Sequence, residues 1–424
     1  MVKVEVKISR GDRENGVYSG ITAEWAIKTL AEVCQIKPPK SEAREKLAES
    51  ALVSFLPMEA MGIDQKFVTA NQVKPLSEVS GSYTYFAEGD VLLAKITPCF
   101  ENGKLGIASG LENGIGFGSS EYIVFRPDNL ISKEWLYYFL SREVFRAEGA
   151  ARMSGAVGHK RVAKEFIENH PIPFPPLPEQ QRIVRILDEA FAHIATAQAN
   201  AEKNLQNARA LFESHLQSVF TQRGEGWVEH RLGDIFNIGS SKRIYETEWT
   251  SSGVPFYGGR EIVKLAKAGR VTSDVYISDE KYLEFSSKYD MPKVGDILMT
   301  ARGTIGVGYV VKAGEKFYYK DGNVILLHQK KPTNPYLILY AFRSKHIANQ
   351  LDELSGTTVK HLSIEKANEL KIALPSFDIQ NPIVDHIGKL EAETKQLASI
   401  YQQKLSALSS LKKSLLHQAF SGKL

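Results

Sequence analysis

Ile172-Pro173-Phe174-Pro175-Pro176-Leu177-Pro178-Glu179-Gln180-Gln181-Arg182-Ile183-Val184 returns 200 residues later as Ile372-Ala373-Leu374-Pro375-Ser376-Phe377-Asp378-Ile379-Gln380-Asn381-Pro382-Ile383-Val384. The match runs without a gap from 172–224 onto 372–424, pairing Leu205 with Leu405, Leu211 with Leu411, Ser214 with Ser414, Leu216 with Leu416 and Phe220 with Phe420. Upstream it continues with small slips: Trp25 matches Trp227 and Leu30 matches Leu232 at an offset of 202, and Gly89-Asp90 matches Gly295-Asp296 at 206. Insertions therefore fall before each joint, while the segments after the joints keep their length. Such a duplication reads as two variable modules on one invariant frame. Two tandem domains without functional symmetry are the plain alternative.

A chain of 424 residues with 43% hydrophobic and 24% charged residues has ordinary globular composition, and its length suggests two to four domains. Met1–Arg10 alternates Val2, Val4, Val6 and Ile8 with charged residues, a strand pattern rather than a signal peptide. No stretch reaches the roughly 18 apolar residues of a membrane span. Two cysteines, Cys34 and Cys99, supply neither a disulfide framework nor a four-ligand zinc site, which points to a reducing cytoplasm. A net charge of +4 and a pI near 8.7 permit nucleic acid as a partner without demanding it.

After Pro178, small or apolar residues at Ile183, Leu187, Ala190, Ile194, Ala197, Ala201, Ala208 and Leu211 recur in steps of three and four, the spacing of a coiled-coil seam. The second copy keeps the frame with Ile383, Ile387, Leu390, Leu397, Leu408, Leu411 and Leu415, interrupted by Thr394, Tyr401 and Lys404. A small-residue seam opposite a larger one suits two helices packed closely. One helix is expected from near Glu179 to the break at Gly224-Glu225-Gly226, the other from near Asp378 to Gly422. Each then has about 40 residues and spans about 60 Å at 1.5 Å per residue. Antiparallel pairing, with the intervening module returning the chain, relates the modules by an approximate twofold axis.

The modules, 1–171 and 225–371, are rich in Gly, Ser and alternating apolar residues. Gly89-Asp90-Val91-Leu92-Leu93 and Gly295-Asp296-Ile297-Leu298-Met299 each read as a turn feeding a buried strand, and Tyr122–Phe125 and Val324–Leu327 as the next strands. Helical stretches are expected at Glu134–Arg146 and Pro335–Leu354, so each module mixes α and β. Pro171, Pro173, Pro175, Pro176 and Pro178 form a stiff extended joint, and Leu374-Pro375-Ser376 is its proline-poor counterpart.

This order of module, joint carrying Leu177-Pro178-Glu179-Gln180-Gln181-Arg182-Ile183-Val184, long helix, second module and second helix ending in Gln418-Ala419-Phe420-Ser421-Gly422-Lys423-Leu424 resembles the specificity subunits of Type I restriction-modification systems. The resemblance covers nearly the whole chain after Trp25. It implies an α+β fold: two pseudo-symmetric mixed α/β target recognition domains (1–177 and 225–377) separated by a pair of long antiparallel coiled-coil helices (178–224 and 378–424). In that family each module reads one half of a split DNA sequence, and the helices set the gap and dock methyltransferase subunits. The subunit itself is non-catalytic. The implied partners are double-stranded DNA, two methyltransferase subunits and, in the restricting form, two restriction subunits, in the cytoplasm and without a membrane. No cofactor is expected on this chain, while S-adenosylmethionine, ATP and magnesium are expected on the partners. The second joint departs from the pattern by keeping only Gln380 of the Glu-Gln pair, which leaves open whether the two methyltransferase contacts are equivalent.

The segments nearest to catalytic signatures are each incomplete. Gly114–Gly118 and Gly303–Gly308 lack the full spacing of a dinucleotide loop and read as hairpins or loops. Thr333-Asn334-Pro335-Tyr336 lacks the second proline of the adenine-methyltransferase tetrad and reads as a helix start. No acidic-x-Lys follows Pro127-Asp128 at nuclease spacing, and the ten histidines show no metal-ligand clustering. For DNA contact, basic and small polar loop residues are the useful types. The candidates are Lys95, Thr97, Asn102, Lys104, Ser119 and Ser120 in the first module, and Ser241, Lys242, Arg243, Arg260, Arg302 and Thr304 in the second. Lys160-Arg161 and Lys360-His361 occupy equivalent places before the joints and suit phosphate on both half-sites, with helix capping as the alternative. For the partner subunits the resemblance points to Glu179, Gln180, Gln181 and Arg182 with Gln380 and Asn381, although Glu179 also suits the positive end of its own helix. A DNA-free coiled-coil scaffold and an enzyme with an unrecognised hydrolytic site are the rival readings.

Overall fold

The computed structural model describes residues 25–222, 224–354 and 361–424, so the alternating stretch Met1–Arg10 and the candidate Lys360 lie outside the described residues. The chain divides into two compact units, one built from residues up to Ala201 with Gln403–Leu424 and the other from Glu202–Gln402.

In the first unit, Cys34–Ile36, Tyr122–Pro127, Val91–Ala94, Leu105–Ala108 and Phe67–Val68 form a five-stranded sheet in that order. Neighbours are antiparallel except Phe67–Val68, which runs parallel to Leu105–Ala108. A second sheet is ordered Gln72–Pro75, Leu52–Leu56, Ile115–Gly118, Thr84–Ala87. Side chains alternate across a strand. Val91, Leu93 and Phe125 thus enter the core beneath the helices, while Leu92, Tyr122 and Val124 meet Leu56 and Phe86 of the second sheet. The second unit repeats the plan with a sheet ordered Phe236–Gly239, Val324–Gln329, Ile297–Thr300, Gly308–Val310 and a three-stranded sheet ordered Tyr276–Ile277, Val254–Tyr257, Tyr318–Tyr319.

The Gly-Asp turns form as the sequence suggests. Gly89 and Gly295 adopt φ of +85° and +89°, which glycine alone takes without strain. The following carboxylate closes each turn, Asp90 Oδ2 accepting from Ala87 N at 2.7 Å and Asp296 Oδ2 from Lys293 N at 2.8 Å.

The proline-rich joint is a strand rather than a free spacer. Pro171–Phe174 pairs antiparallel with Ala26–Thr29, as Lys371–Leu374 does with Val228–Arg231. Leu30 N donates to His170 O at 3.1 Å, which makes the even-numbered residues the bonding ones. Pro171 and Pro173 therefore turn their missing N–H groups away from the partner strand, the placement in which proline is tolerated.

Each expected single helix between sheet and joint is two: Lys133–Leu140 then Glu143–Ala151, and Pro335–Phe342 then Lys345–Leu354. A serine makes each break, Ser141 Oγ donating to Tyr138 O at 2.8 Å and Ser344 Oγ to Ala341 O at 2.6 Å. Such side-chain bonds compete with the helical ladder.

The long helices are Leu177–Thr221, 45 residues, and Phe377–Phe420, 44 residues. Both begin earlier than expected; Pro178 sits in the first turn, where its missing N–H is harmless. Pro382 falls beyond the first turn and removes one helical bond, to the Asp378 carbonyl. The helices run antiparallel within each unit. Arg182 Nη2 donates to Leu424 O at 2.7 Å and Lys412 Nζ lies 5.5 Å from the Phe191 ring centre in the first unit, and His215 lies 5.1 Å from His386 in the second. The expected seam holds at Ile183, Leu187, Ile194, Ala201 and Ala208 and then slips by one residue: Leu211 is exposed and Phe212 buried; in the second helix Leu397 and Leu411 are exposed, and Leu416 rather than Leu415 is the buried residue. A helix turns 3.6 residues per turn against the 3.5 of a heptad, so the buried stripe drifts unless the helices supercoil to follow it. Thr394 is buried in the seam rather than interrupting it, because its hydroxyl donates to Leu390 O at 2.8 Å.

Each helix ends in a module core. Phe420 packs 4.3 Å from fully buried Trp135 in the first unit, and Phe220 lies edge-on to Trp227 at 6.1 Å in the second.

Candidate nucleic-acid interface

One backbone feature recurs at the ends of the central strands in both units. Val162 N donates to Lys95 O at 2.9 Å and Thr97 N to Lys160 O at 2.9 Å, bridging Ile96 to Arg161. In the second unit Leu362 N donates to Ala301 O at 2.9 Å, bridging Arg302 to His361. The two bridges obey the same offsets, 206 before and 200 after, that the sequence repeat shows.

In the first unit this bridge gathers Lys95, Thr97, Ser120, Lys160 and Arg161. Lys95 Nζ donates to Ser120 O at 2.9 Å. Exposed Arg161 forks onto Glu121 through bonds of 2.9 and 2.7 Å, and that guanidinium, aided by Lys95, holds the Glu121 carboxyl below the usual carboxylate range. Asn102 and Ser120 are exposed. Three candidates are engaged internally: the Thr97 hydroxyl donates to Glu101 at 2.8 Å, Lys104 Nζ to Met58 O at 2.7 Å, and Ser119 Oγ accepts from Glu121 N at 3.2 Å.

Sequence reasoning missed Lys37, Lys40 and Lys164, which with Lys95 surround a cleft of about 460 Å³ lined by no carboxylate among the described residues. Lys37 is held at φ +59° with its N–H on Val124 O at 2.8 Å. Burial, followed by the neighbouring Lys37 and Arg44, lowers the Lys40 pKa, the mark of a cation short of counter-charge. The available signal was Lys37-Pro38-Pro39-Lys40, two cations flanking a rigid turn directly after a strand.

The second unit's candidates fall in three places. Ser241 and Lys242 line a cleft of about 280 Å³ with Tyr289, Asp290 and His328; Ser241 Oγ donates to Tyr319 O at 2.6 Å, and the Lys242 ammonium lies 5.1 Å from the Tyr289 ring centre. Exposed Arg243 pairs with Asp321 at 2.8 Å. Exposed Arg302 and Thr304 sit on the turn beside His361, whose Nδ1 lies 3.0 Å from Ala301 O. Arg260 stands apart in the first turn of Gly259–Ala268, lining a separate cleft of about 380 Å³ with Trp249 and Lys320.

Among the residues expected to meet partner subunits, Gln180 and Gln380 require correction. Both are buried, at 0% and 3% exposure, and serve as internal staples. Gln180 accepts from Ser132 N at 2.9 Å and donates to Pro175 O at 2.8 Å; Gln380 accepts from Asn334 N at 2.8 Å and donates to Pro375 O at 3.0 Å. Each amide thereby ties the start of its long helix to the cap of a module helix. Gln181 and Asn381 are exposed, and Glu179 forms a two-bond ion pair with Arg182, both bonds 2.8 Å.

The segments weighed for catalysis have structural roles. Asn334 caps Pro335–Phe342, accepting from Tyr336 N at 2.9 Å. Gly116 lies in a strand where a Cβ would come within 2.2 Å of the Phe86 ring. Among the described residues no group of three or more His, Cys, Asp or Glu is placed to hold a metal, and no helix is long and apolar enough to cross a membrane.

The chain resembles known proteins over both repeats. It is 42% identical over 163 residues to the Type I restriction enzyme EcoAI specificity subunit of Escherichia coli, covering 38% of this chain and 27% of that protein. It is 31% identical over 274 residues to the EcoEI specificity subunit of Escherichia coli, covering 64% of this chain and 44% of that protein. These two alignments thus span well under two thirds of the relatives' lengths. A putative type I restriction enzyme specificity subunit of Haemophilus influenzae is 27% identical over 83% of this chain and 91% of its own length. In fold, the chain superposes on a chain from a solved type I R-M system with a TM-score of 0.73 at 19% identity, covering 95% of this chain and 99% of that one. The HsdS subunit from Thermoanaerobacter tengcongensis gives 0.65 at 18%, covering 95% and 98%. The family model for the Type I restriction modification DNA specificity domain matches twice, over residues 22–206 and 224–404. Two such matches, over repeats with the same strand-end bridge and the same glutamine staple, make this chain a member of the Type I restriction modification DNA specificity domain family.

Proposed function

We propose that this chain is the sequence-recognition and scaffolding subunit of a Type I restriction-modification complex and carries no reaction centre of its own. Each unit reads one half of a bipartite DNA site, the helix pair sets the gap, and the exposed Gln181 and Asn381, with the half-buried Glu179–Arg182 ion pair, contribute to docking methyltransferase subunits. In this reading restriction subunits join the same assembly in the cytoplasm, and S-adenosylmethionine, ATP and magnesium are held by the partner subunits.

The observation that carries the reading is the repeated bridge with unlike surroundings. The same backbone contact presents Lys95, Lys160 and Arg161 beside a cleft with four lysines and, among the described residues, no carboxylate in one unit, and Arg302 and His361 in the other, where a separate cleft carries Ser240, Ser241, Lys242, Tyr289, Asp290 and His328. Cations at strand ends suit phosphate, and small polar groups beside them suit base edges. Unlike readers on one chain imply an asymmetric site, because identical readers related by a dyad would read a palindrome.

The test is DNA affinity against salt with the methyltransferase partner present. Several phosphate contacts require a steep fall of log K with log salt, by about 0.9 per phosphate neutralised. A DNA-free coiled-coil scaffold gives no salt-sensitive affinity, and turnover by the isolated chain would point instead to an enzyme.

A further inference from the structure

We propose that His328 is a base-reading residue of the second unit, accepting a hydrogen bond from the exocyclic amino group of an adenine or cytosine. This rests on the DNA-reading function above and adds to it a named residue and a base chemistry.

Four observations converge on His328. Its Nδ1 lies 2.9 and 3.0 Å from the two oxygens of Asp296, which is 2% exposed and is itself fixed by Lys293 N at 2.8 Å. In the uncharged form of the ring, the nitrogen facing a carboxylate carries the hydrogen, which places the lone pair at Nε2, on the far edge. Nε2 makes no hydrogen bond among the described residues, and His328 lines the cleft of about 280 Å³ beside Ser241, Lys242 and Tyr289. Lastly, the first unit fills the same place differently. Asp90 and Arg126 stand where Asp296 and His328 do, but Arg126 is tied to Asp90 at 2.8 and 2.9 Å and to Glu42 at 2.5 Å, and it lies 5.7 Å from the Tyr85 ring centre. The buried aspartate recurs as a turn-closing group, while its partner in the second unit is a side chain with one polar edge left over and open space before it.

Chemistry limits what that edge can read. An anchored acceptor complements N6 of adenine or N4 of cytosine, the amino donors of the major groove, and rejects the acceptor edges of guanine O6 and thymine O4. Asp296 acts as the positioning residue, setting both the tautomer and the plane of the ring.

His328→Asn separates the two roles, because its amide nitrogen takes the place of Nδ1 toward Asp296 while Nε2 is deleted. The full chain with its methyltransferase partner is incubated with a random-sequence DNA duplex library, and the bound fraction is sequenced for wild type and His328→Asn. The expected result is an unchanged half-site for the first unit, an unchanged gap, and an about tenfold loss of preference at one adenine or cytosine in the other half-site, the size of one good base contact. A His328→Asn consensus identical at every position overturns the proposal. Equal weakening of both half-sites together with a lower melting temperature overturns it too, by assigning His328 to folding alone. A wild-type complex that selects no bipartite consensus defeats the DNA-reading function itself, and the His328 role with it.

Discussion

Gln180 holds three segments together with a single amide, joining Ser132, Leu130 and Pro175 across the start of the first long helix. Truncation to alanine strands buried partners without water, so Gln180→Ala should lower the unfolding free energy by about 2 kcal/mol in urea melts. Gln181→Ala, one residue away and exposed, should change it by about 0.5 kcal/mol or less. His170 gives a pH signature of the same module. Burial among Phe139, Phe145 and Phe166, with Arg142 and Arg152 nearby, lowers its pKa to about 3. The unfolded chain then binds a proton below its ordinary value of 6.5 that the folded chain refuses, so the contribution is complete above 6.5 and is lost as the pH falls toward 3. Between pH 6.5 and 5 the loss approaches about 2 kcal/mol, and His170→Leu should abolish that share of the pH dependence of the melts. Repetition at an offset of 200 made Gln180 and Gln380 conspicuous but could not say whether a repeated polar side chain faces a partner or its own fold. The lysine cleft was hidden for a related reason: Lys37, Lys95 and Lys164 are far apart in sequence and meet only after the sheet forms.

Phe220 and Phe420 each anchor the end of a long helix in the core of its own unit. Each is a large side chain nearly removed from water at the end of a long helix, so Phe→Ala at either position should cost about 3–5 kcal/mol. Phe220→Ala should lower the melting of the second unit and Phe420→Ala that of the first, a division that hydrogen exchange resolves by unit. The helices themselves were the most legible elements, because apolar spacing survives over many turns. What the spacing hid was local. The breaks at Ser141 and Ser344 depend on hydroxyls turned back to their own carbonyls, and the slip from Leu211 to Phe212 comes from the drift of a 3.6-residue turn against a 3.5-residue repeat. If the helices set the distance between reading heads, inserting one heptad in both should lengthen the gap by about three base pairs, since seven residues add about 10 Å. Sequencing of the methylated sites in such a variant should return the same half-sites with a wider gap; altered half-sites would count against the helices as a ruler.

At the scale of the whole molecule, one duplicated frame carries two modules whose polar surroundings differ. The Gly-Asp turns, the strand-end bridges and the glutamine staples recur, whereas Arg126 against His328 and the lysine cleft against the Ser-Lys-Tyr cleft do not. The frame was readable because its turns and caps depend on near neighbours in sequence. The candidate DNA-facing surfaces were only partly so, because they assemble from loops that the repeat does not preserve. On the proposed function, the pairing of two unlike modules is what reads a bipartite site, and neither module alone accounts for it. The most direct test is a map of methylated adenines across the genome of the source cell, with and without this gene, while the methyltransferase partner is expressed. Loss of one asymmetric bipartite motif on deletion is the predicted result; a map that does not change would contradict the assignment of sequence recognition to this chain.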